Sequence, residues 1–265
     1  MLDAITVRAE LERDLRHALT ESQFALHFQV QVADNGRAIG AEVLIRWLHP
    51  VKGLVAPLQF IGLAEETGLI IPIGEWVLQT ACQQLRRWES DPIATEFQLA
   101  VNVSARQYRA VDFVDRVRAI LAQTGARAGH LKLELTESMV LDNVKDAIEK
   151  MHSLKALGVR LSMDDFGTGY SSLSYLTRLP LDQLKIDQSF VRNIGVQTSD
   201  TVVIDTIIGL AKSLSLEVIA EGVETTEQRD FLSAHGCRLC QGYLLGKPMP
   251  IGDFEALLSS HSIAL

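Results

Sequence analysis

Apolar and polar residues along the chain follow two periods, one typical of strands and one typical of helices. Near the start, Leu11, Leu15 and Leu19 fall on one face of a helix predicted over residues 5–19. Further on, short apolar runs alternate with longer amphipathic stretches. The predicted strands cover residues 24–32, 38–47, 97–103, 131–135, 159–164, 183–187, 216–221 and 237–240, and the predicted helices cover 57–67, 73–89, 111–124, 142–157, 200–214, 225–234 and 252–260.

The order of these elements predicts an α/β fold in which the strands close into a modified TIM-type (β/α)8 barrel. The first two strands are an exception, because Asp34-Asn35-Gly36 between them is a strong hairpin signal. A hairpin joins antiparallel strands, so we expect an antiparallel first strand in an otherwise parallel barrel. We interpret residues 1–20 as an N-terminal helix or the end of a linker, and residues 21–265 as a single domain.

Polar residues in the predicted strands share one face. Side chains alternate across a strand, so a polar residue between aliphatic neighbours points the opposite way from them. Since the apolar face of each strand meets the helices, these polar side chains should point into the barrel and gather near its C-terminal mouth. Any one of these residues could be a solvated surface charge, but that interpretation does not explain why all of them fall on the inward face of their strands. The inward residues are Glu42, Arg46, Asn102, Glu134, Asp164, Lys185 and Glu221.

Asp164 and Asp165 end a predicted strand and open a loop that contains Gly167 and Gly169. Two adjacent carboxylates repel each other unless a cation lies between them, although a helix cap with a glycine turn is an alternative for this segment alone. Oxygen donors without histidine or cysteine favour the hard cations Mg²⁺ and Mn²⁺. The candidate metal ligands are Glu42, Asn102, Glu134, Asp164 and Asp165.

Two such ions suit attack of water on a phosphodiester, because they activate the water and neutralise the developing charge. Lys185 and Glu221 would then position or deprotonate that water. Arg46 is suited to a phosphate oxygen. The residues by themselves therefore predict a metal-dependent phosphodiesterase.

The composition of the chain limits the binding partners and the cellular compartment that we expect for the protein. The net charge of −8 argues against nucleic-acid polymers and anionic membranes as partners. No apolar run is long enough to span a membrane, and the acidic N-terminus is unlike a secretory signal. The few cysteines lack a framework spacing, so we expect a cytoplasmic protein or the cytoplasmic domain of a larger one. Cys237 and Cys240 beside His235 could form a metal or redox pair, but buried thiols are the favoured interpretation.

Seven short blocks hold these polar residues in order along the chain. They are Glu42-Val43-Leu44 within residues 40–50, Val101-Asn102-Val103-Ser104, Glu134-Leu135-Thr136-Glu137, Asp164-Asp165-Phe166-Gly167-Thr168-Gly169, Lys185-Ile186-Asp187, Ala220-Glu221-Gly222-Val223-Glu224-Thr225 and Gln241-Gly242-Tyr243. Read together, the blocks resemble the EAL domain family of cyclic di-GMP phosphodiesterases. The resemblance runs from about Phe24 to Pro250, nearly the whole chain.

The resemblance implies a barrel with an antiparallel first strand, which agrees with the hairpin signal. It also implies hydrolysis of cyclic di-GMP to linear pGpG in bacterial second-messenger signalling, which bears on biofilm formation. The activating ions would be Mg²⁺ or Mn²⁺, with two ions bound, and Ca²⁺ would inhibit. Residues 21–265 would then be the EAL phosphodiesterase domain, a homodimer that follows a GGDEF or sensor domain in a longer protein.

The same resemblance implies a role for each site residue. Glu137 would anchor the Asp165–Leu173 loop, which links the metal site to a dimer interface in this family, and Glu224 would be a supporting acid. The implied ligands of the first metal are Glu42, Asn102, Glu134 and Asp164, and those of the second are Asp164 and Asp165. Lys185 would orient the water, Glu221 would be the general base or an outer support of the second metal, and these two residues with Asp165 would form the catalytic group. The implied substrate contacts are Gln29, Leu44, Arg46 and Gln241.

Four positions depart from the usual family pattern. Phe28 and Val30 stand where Tyr and Pro are common, Val43 replaces Ala, and Gly62 stands where Pro is common. Val30 and Gly62 leave the pose of Gln29 open, but no predicted metal ligand is lost. Two alternatives to an active hydrolase are a receptor that binds cyclic di-GMP without cleaving it and an unrelated Mg²⁺-dependent barrel enzyme that stabilises an enolate. The complete acid set argues against the receptor, and the glycine loop argues against the enolate enzyme.

Overall fold

Strands surrounded by helices close into a barrel in the computed structural model, which describes residues 2–141, 143–167, 173–196 and 198–260. In chain order the barrel strands are β1 (Phe24–Ala33), β2 (Ala38–His49), β4 (Gln98–Asn102), β5 (Leu131–Thr136), β6 (Arg160–Phe166), β7 (Gln183–Ile186), β8 (Glu217–Ala220) and β9 (Leu239–Cys240), with β3 (Gly53–Val55) paired to β2 and β10 (Met249–Pro250) paired to β1. The eight predicted strands are therefore the barrel strands, and the two short additions lie outside the closed ring.

The helices cover the outer faces of these strands. They are α1 (Leu2–Thr20), α2 (Pro57–Thr67), α3 (Ile70–Trp88), α4 (Ala105–Arg109), α5 (Phe113–Thr124), α6 (Glu137–Leu141), α7 (Val144–Ala156), α8 (Leu173–Leu176), α9 (Gln188–Arg192), α10 (Thr198–Ser213), α11 (Thr226–Ala234) and α12 (Ile251–Ser259). Helix α3 begins three residues earlier than predicted, because Pro72 lies in the first turn, where a missing N–H costs no hydrogen bond. The helix predicted over 142–157 is observed as α7, the short helix α6 before it was not predicted, and Asp142 lies outside the described residues.

The direction of β1 sets the topology. β1 runs antiparallel to β2 on one side, where Gln29 pairs with Glu42, and antiparallel to β9 on the other, where Val32 pairs with Cys240. From β2 through β4 to β9 the neighbouring strands are parallel. The hairpin turn has Gly36 at φ 78°, a conformation that glycine adopts without strain. The predicted barrel with an antiparallel first strand is confirmed.

Two apolar cores hold the helices on the barrel. The larger core packs the outward aliphatic side chains of the strands against α3, α5, α7, α10 and α12. The smaller core includes Leu15 and Ala18 of α1, both fully buried, with Phe24, Trp47 and Phe60. The second half of α1 therefore packs on the barrel as part of its fold. The domain boundary at residue 20 stays a prediction.

Buried thiols account for the cysteine pair. Cys237 and Cys240 are buried and not bonded to each other, and burial raises the pKa of the Cys237 thiol to about 12. His235 stacks on Phe231, with ring centroids 3.9 Å apart. The burial of both thiols agrees with the favoured interpretation of the sequence. Among the helices of the described ranges, none combines the length and the hydropathy that crossing a membrane requires.

Candidate active site

Lys185 lies at the centre of a charged cluster inside the barrel. Its Nζ lies 2.6 Å from Oε2 of Glu134, 3.2 Å from Oδ1 of Asp164 and 2.5 Å from Oε1 of Glu221. Lys185 and Glu134 are each 1% exposed. These acids belong to β5, β6 and the residue that follows β8. The pairing of neighbouring strands thus brings carboxylates from three separate segments to the ammonium group of Lys185.

Burial and mutual repulsion control protonation in this cluster. Burial raises the pKa of Glu134 and of Glu221 above the ordinary carboxyl range; Lys185 opposes the shift, and the neighbouring acids add to it. Burial alone would lower the pKa of Lys185, but the surrounding carboxylates raise it well above its ordinary value. One ammonium faces more carboxylate charge than it can balance. This excess of negative charge favours a further cation.

Glu42 is held by two side-chain amides. Nδ2 of Asn102 donates to its Oε1 at 2.6 Å, and Nε2 of Gln241 donates to its Oε2. The same Nε2 of Gln241 donates to Oε1 of Gln29 at 3.0 Å. Nε2 of Gln29 in turn donates to the carbonyl oxygen of Gly246 at 3.1 Å. The network fixes the orientation of the Glu42 carboxylate within the barrel.

Gly242 determines how closely the segment after β9 approaches the barrel. A Cβ at this position would lie 2.1 Å from the carbonyl oxygen of Val223 and 2.2 Å from its nitrogen. The N–H of Val223 donates to the carbonyl of Gln241 at 3.1 Å, and the N–H of Leu244 donates to the carbonyl of Val223 at 3.0 Å. Only glycine fits between these backbones, and the backbone therefore holds Gln241 in place.

Strand β6 becomes irregular where it carries the two adjacent acids. Its register with β7 shifts between Met163 and Phe166, and Asp165 has φ 54°, in the left-handed region. An irregularity of this kind redirects a side chain that simple alternation would send to the opposite face. Burial, and then the charge of Asp164, raise the pKa of Asp165. The two carboxylates therefore interact electrostatically at one site.

The donor chemistry of the cluster fits an oxygen-coordinated cation. Oε1 of Glu134 is buried and has no hydrogen-bond partner within the described ranges, while Oε2 is bound to Lys185. Asn102 pairs in register with Glu134 and turns its amide nitrogen toward Glu42. Across the described part of the chain, no three Asp, Glu, His or Cys side chains converge as a ready-made metal cage. Instead, Lys185 links three of the acids and Asn102 bonds another.

A pocket of about 250 Å³ opens beside these networks. Arg46 is half-buried nearby and donates to the carbonyl oxygen of Ile45 at 2.9 Å. Burial lowers the pKa of Arg46, while Tyr243 and Glu42 act in the opposite direction. The pocket can admit a polar ligand against the Glu42 and Glu221 carboxylates. It is lined by Gln29, Glu42, Leu44, Gln188, Arg192, Glu221, Gly222, Glu224, Gln241, Gly242 and Tyr243.

Glu137 stands apart from the other predicted site residues. It begins α6, is 4% exposed and accepts a hydrogen bond at 2.7 Å from Oη of Tyr175, which lies beyond the glycine loop. Its Oε2 is buried and has no hydrogen-bond partner among the described residues. The anchored loop includes residues 168–172, which lie outside the described residues. Loop anchoring therefore stays a prediction.

Several residues of this region were not predicted from the sequence, among them Gln31, Arg192 and Tyr243. Gln31 joins the amide network, and Arg192 and Tyr243 line the pocket. Gln31 shares a strand face with Gln29, so alternation alone could have found it. Tyr243 stands in one of the seven sequence blocks, whereas Arg192 lies on a short helix that the apolar periodicity does not predict.

Comparison with known proteins gives the same family as the sequence blocks. The EAL domain matches residues 12–248. The bifunctional diguanylate cyclase/cyclic di-GMP phosphodiesterase MucR of Pseudomonas aeruginosa is 46% identical over 252 residues, which are 95% of this chain and 36% of MucR. The cyclic di-GMP phosphodiesterase PdeR of Escherichia coli K12 is 39% identical over 245 residues, which are 92% of this chain and 37% of PdeR.

Solved structures show the same likeness. The PaMucR phosphodiesterase in complex with c-di-GMP is 46% identical, with a TM-score of 0.90, and the match covers 92% of this chain and 99% of that one. The EAL enzyme Bd1971, in its cAMP and cyclic-di-GMP bound form, is 36% identical with a TM-score of 0.90, and the match covers 96% of this chain and 70% of that one. The chain spans little more than a third of the length of MucR and PdeR. With its barrel, its acids and these relatives taken together, the chain belongs to the EAL domain family.

Proposed function

We propose that this domain hydrolyses cyclic di-GMP to linear pGpG at the C-terminal mouth of its barrel, in a reaction that requires Mg²⁺ or Mn²⁺. One observation carries the proposal: the charged cluster around Lys185 and the amide network around Glu42 meet at a single mouth. The likeness to the PaMucR phosphodiesterase in complex with c-di-GMP supports the choice of substrate. EAL phosphodiesterases as a group are metal-dependent.

Five oxygen-bearing residues are the proposed metal ligands. Two observations support this choice: Oε1 of Glu134 is buried with no hydrogen-bond partner in the described part of the chain, and negative charge exceeds positive charge around Lys185. Two bound ions would lower the pKa of a water molecule and neutralise charge on the phosphodiester. Ca²⁺ would inhibit, because its longer and more flexible coordination does not reproduce that of Mg²⁺. The proposed ligands are Glu42, Asn102, Glu134 and Asp164 for one ion, and Asp164 and Asp165 for the other.

Lys185 and Glu221 are the proposed proton-handling residues, with Asp165 completing the catalytic group. Nζ of Lys185 would donate a hydrogen bond to the attacking water and hold its lone pair toward the phosphorus. Oε1 of Glu221 would accept the proton of that water, a role that suits a carboxylate whose pKa is raised. The bond between them supports their action as a pair.

Four residues at the mouth are the proposed substrate contacts. The guanidinium of Arg46 would bind a phosphate oxygen, because it forms charge-assisted hydrogen bonds in two directions. Leu44 offers an apolar surface to a guanine base, and Gln29 and Gln241 offer amides. Glu224 lines the same pocket and would support the site from its rim.

The context of the whole protein extends the proposal. The curated relatives are much longer than this chain, so we propose an upstream GGDEF or sensor domain and a role in cyclic di-GMP signalling. We also propose a homodimer, with Glu137 linking the metal site to the dimer interface through the Asp165–Leu173 loop. The bond between Glu137 and Tyr175 supports this link.

Chromatography of cyclic di-GMP incubated with the protein tests the proposal. We expect linear pGpG with Mg²⁺ or Mn²⁺ and intact substrate when EDTA or Ca²⁺ is present. Intact substrate under all conditions would overturn the hydrolase. Equilibrium dialysis of the same samples would then show whether the domain is a cyclic di-GMP receptor or binds no cyclic di-GMP.

A further inference from the structure

Gln31 is a buried amide one layer below the mouth of the barrel. It is 1% exposed and lies opposite Gly40, two residues farther from the mouth than the pair formed by Gln29 and Glu42. Its Nε2 donates to Oε1 of Gln241 at 2.9 Å, between residues 210 positions apart in the chain. A buried donor with so specific a partner does more than fill space.

The bond from Gln31 fixes which end of the Gln241 amide faces the site. The oxygen end accepts from Gln31, so the nitrogen end is left for Gln29 and Glu42. If the amide turned over, its oxygen would lie against two acceptor oxygens and its nitrogen against a donor. Such a reversal leaves buried polar groups unpaired, and each of them is costly.

The orientation of Gln241 in turn controls Glu42. Gln241 holds Oε2 of this carboxylate, and Asn102 holds Oε1. Groups that hydrogen-bond a metal ligand set its direction, and their loss lowers metal affinity by about 10-fold to 100-fold. Gln31 thus acts on Glu42 through one intermediate residue.

We propose that Gln31 is a positioning residue that, through Gln241, orients Glu42 and so sets the affinity of the site for its divalent cation. The proposal deepens the proposed function and rests on its assignment of Glu42 as a metal ligand. It adds to the site a residue that touches neither substrate nor ion.

A double-mutant cycle on metal binding tests this chain of contacts. Mn²⁺ is titrated into metal-free protein without nucleotide, and free Mn²⁺ is measured by electron paramagnetic resonance. We expect Gln31→Met, which keeps the length of the side chain but removes the donor, to weaken Mn²⁺ binding about tenfold. Gln241→Met should weaken it at least as much, and the double variant should match Gln241→Met, because Gln31 acts only through Gln241.

Gln84→Met is the matched control. Gln84 is a buried glutamine on α3 whose Nε2 donates to Oε1 of Glu255 on α12 at 3.0 Å, outside the barrel interior. This variant should bind Mn²⁺ like the parent protein, and circular dichroism and urea unfolding would verify the fold of every variant. If the loss of any buried amide weakened Mn²⁺ binding, Gln84→Met would bind Mn²⁺ more weakly as well.

The outcomes separate the two proposals. If the parent protein binds Mn²⁺ but does not cleave cyclic di-GMP, the proposed function is overturned. The Mn²⁺ titration of the variants still tests the role of Gln31 in that case. Parent-like Mn²⁺ affinity in Gln31→Met overturns the role of Gln31. Additive losses in the double variant, or a parent protein that binds no Mn²⁺, overturn it as well.

Discussion

Two lysines inside the same barrel are equally buried and have opposite surroundings. Lys185 and Lys132 are each 1% exposed. Lys185 contacts three carboxylates near the mouth, whereas Nζ of Lys132, on β5, donates at 2.9 Å to the neutral amide oxygen of Gln183. The two lysines thus differ in the charge of their partners. We call Lys185 with Glu134, Asp164 and Glu221 the upper region, and Lys132 with Gln183 the lower region.

The pKa values of the two lysines follow this division. Burial lowers the pKa of Lys132 to about 8, because the nearby carboxylates only partly offset the effect of burial. At Lys185 the carboxylates outweigh the same burial and raise the pKa. Burial by itself therefore does not identify a functional residue. A buried cluster of charges of one sign destabilises the folded protein. Such a cluster is typical of a functional site, where a bound ligand or cation compensates the charge.

The largest effect is expected beside the upper region, from Glu42→Ala. Removing this carboxylate takes a proposed ligand from the metal and releases Asn102 and Gln241, so pGpG formation should fall by more than about a hundredfold. The rate is measured by chromatography. Glu96→Ala, at an exposed position near the opposite end of the barrel, is the control and should keep the parent rate. Near-normal cleavage by Glu42→Ala would contradict the metal assignment.

Lys185→Met tests whether the acids of the upper region need their ammonium. The change leaves Glu134, Asp164 and Glu221 without it, so the free energy of unfolding in EDTA should fall by about 3 kcal/mol. Activity should also be lost, because the residue that orients the water is gone. Urea unfolding followed by circular dichroism gives the first quantity. A stability equal to that of the parent would show that the cluster is not held by Lys185.

A smaller effect is expected at the edge of the upper region, from Glu137→Ala. The barrel should stay folded while turnover falls about tenfold, because Tyr175 loses its partner and the loop loses its proposed anchor. Thermal unfolding and the rate of pGpG formation are measured on the same sample. An unchanged rate would count against coupling between this acid and the metal site.

The smallest effect is expected in the lower region, from Lys132→Met. Among the described residues, the hydrogen-bond partner of this buried ammonium is the neutral amide of Gln183. Its removal should therefore leave the free energy of unfolding within about 1 kcal/mol of the parent, or raise it. Oε1 of Gln183 keeps a bond from Oγ of Ser162 at 3.3 Å. Urea unfolding beside Lys185→Met makes the comparison direct. A loss as large as that of Lys185→Met would remove the distinction between the two regions.

Much of the site was readable from the sequence because strand alternation is local. The phase of Glu134 on β5 and of Lys185 on β7 follows from their aliphatic neighbours, and both point inward as predicted. The same rule does not place Asp165, because its left-handed φ and the register shift of β6 interrupt the alternation. The short helix α9 was missed because so few residues carry no readable period.

The sequence by itself determined the strand order, the antiparallel first strand, the inward acids and the family, since these depend on local periodicity and on short blocks. Only the tertiary structure decided that Lys185 bonds three acids from separate segments, and that Gln31 reaches Gln241. The first depends on the parallel pairing of β5, β6, β7 and β8, and the second on the pairing of β1 with β9 that closes the barrel. Contacts between residues far apart in the chain exist only after the strands pair, and no local pattern encodes their distances.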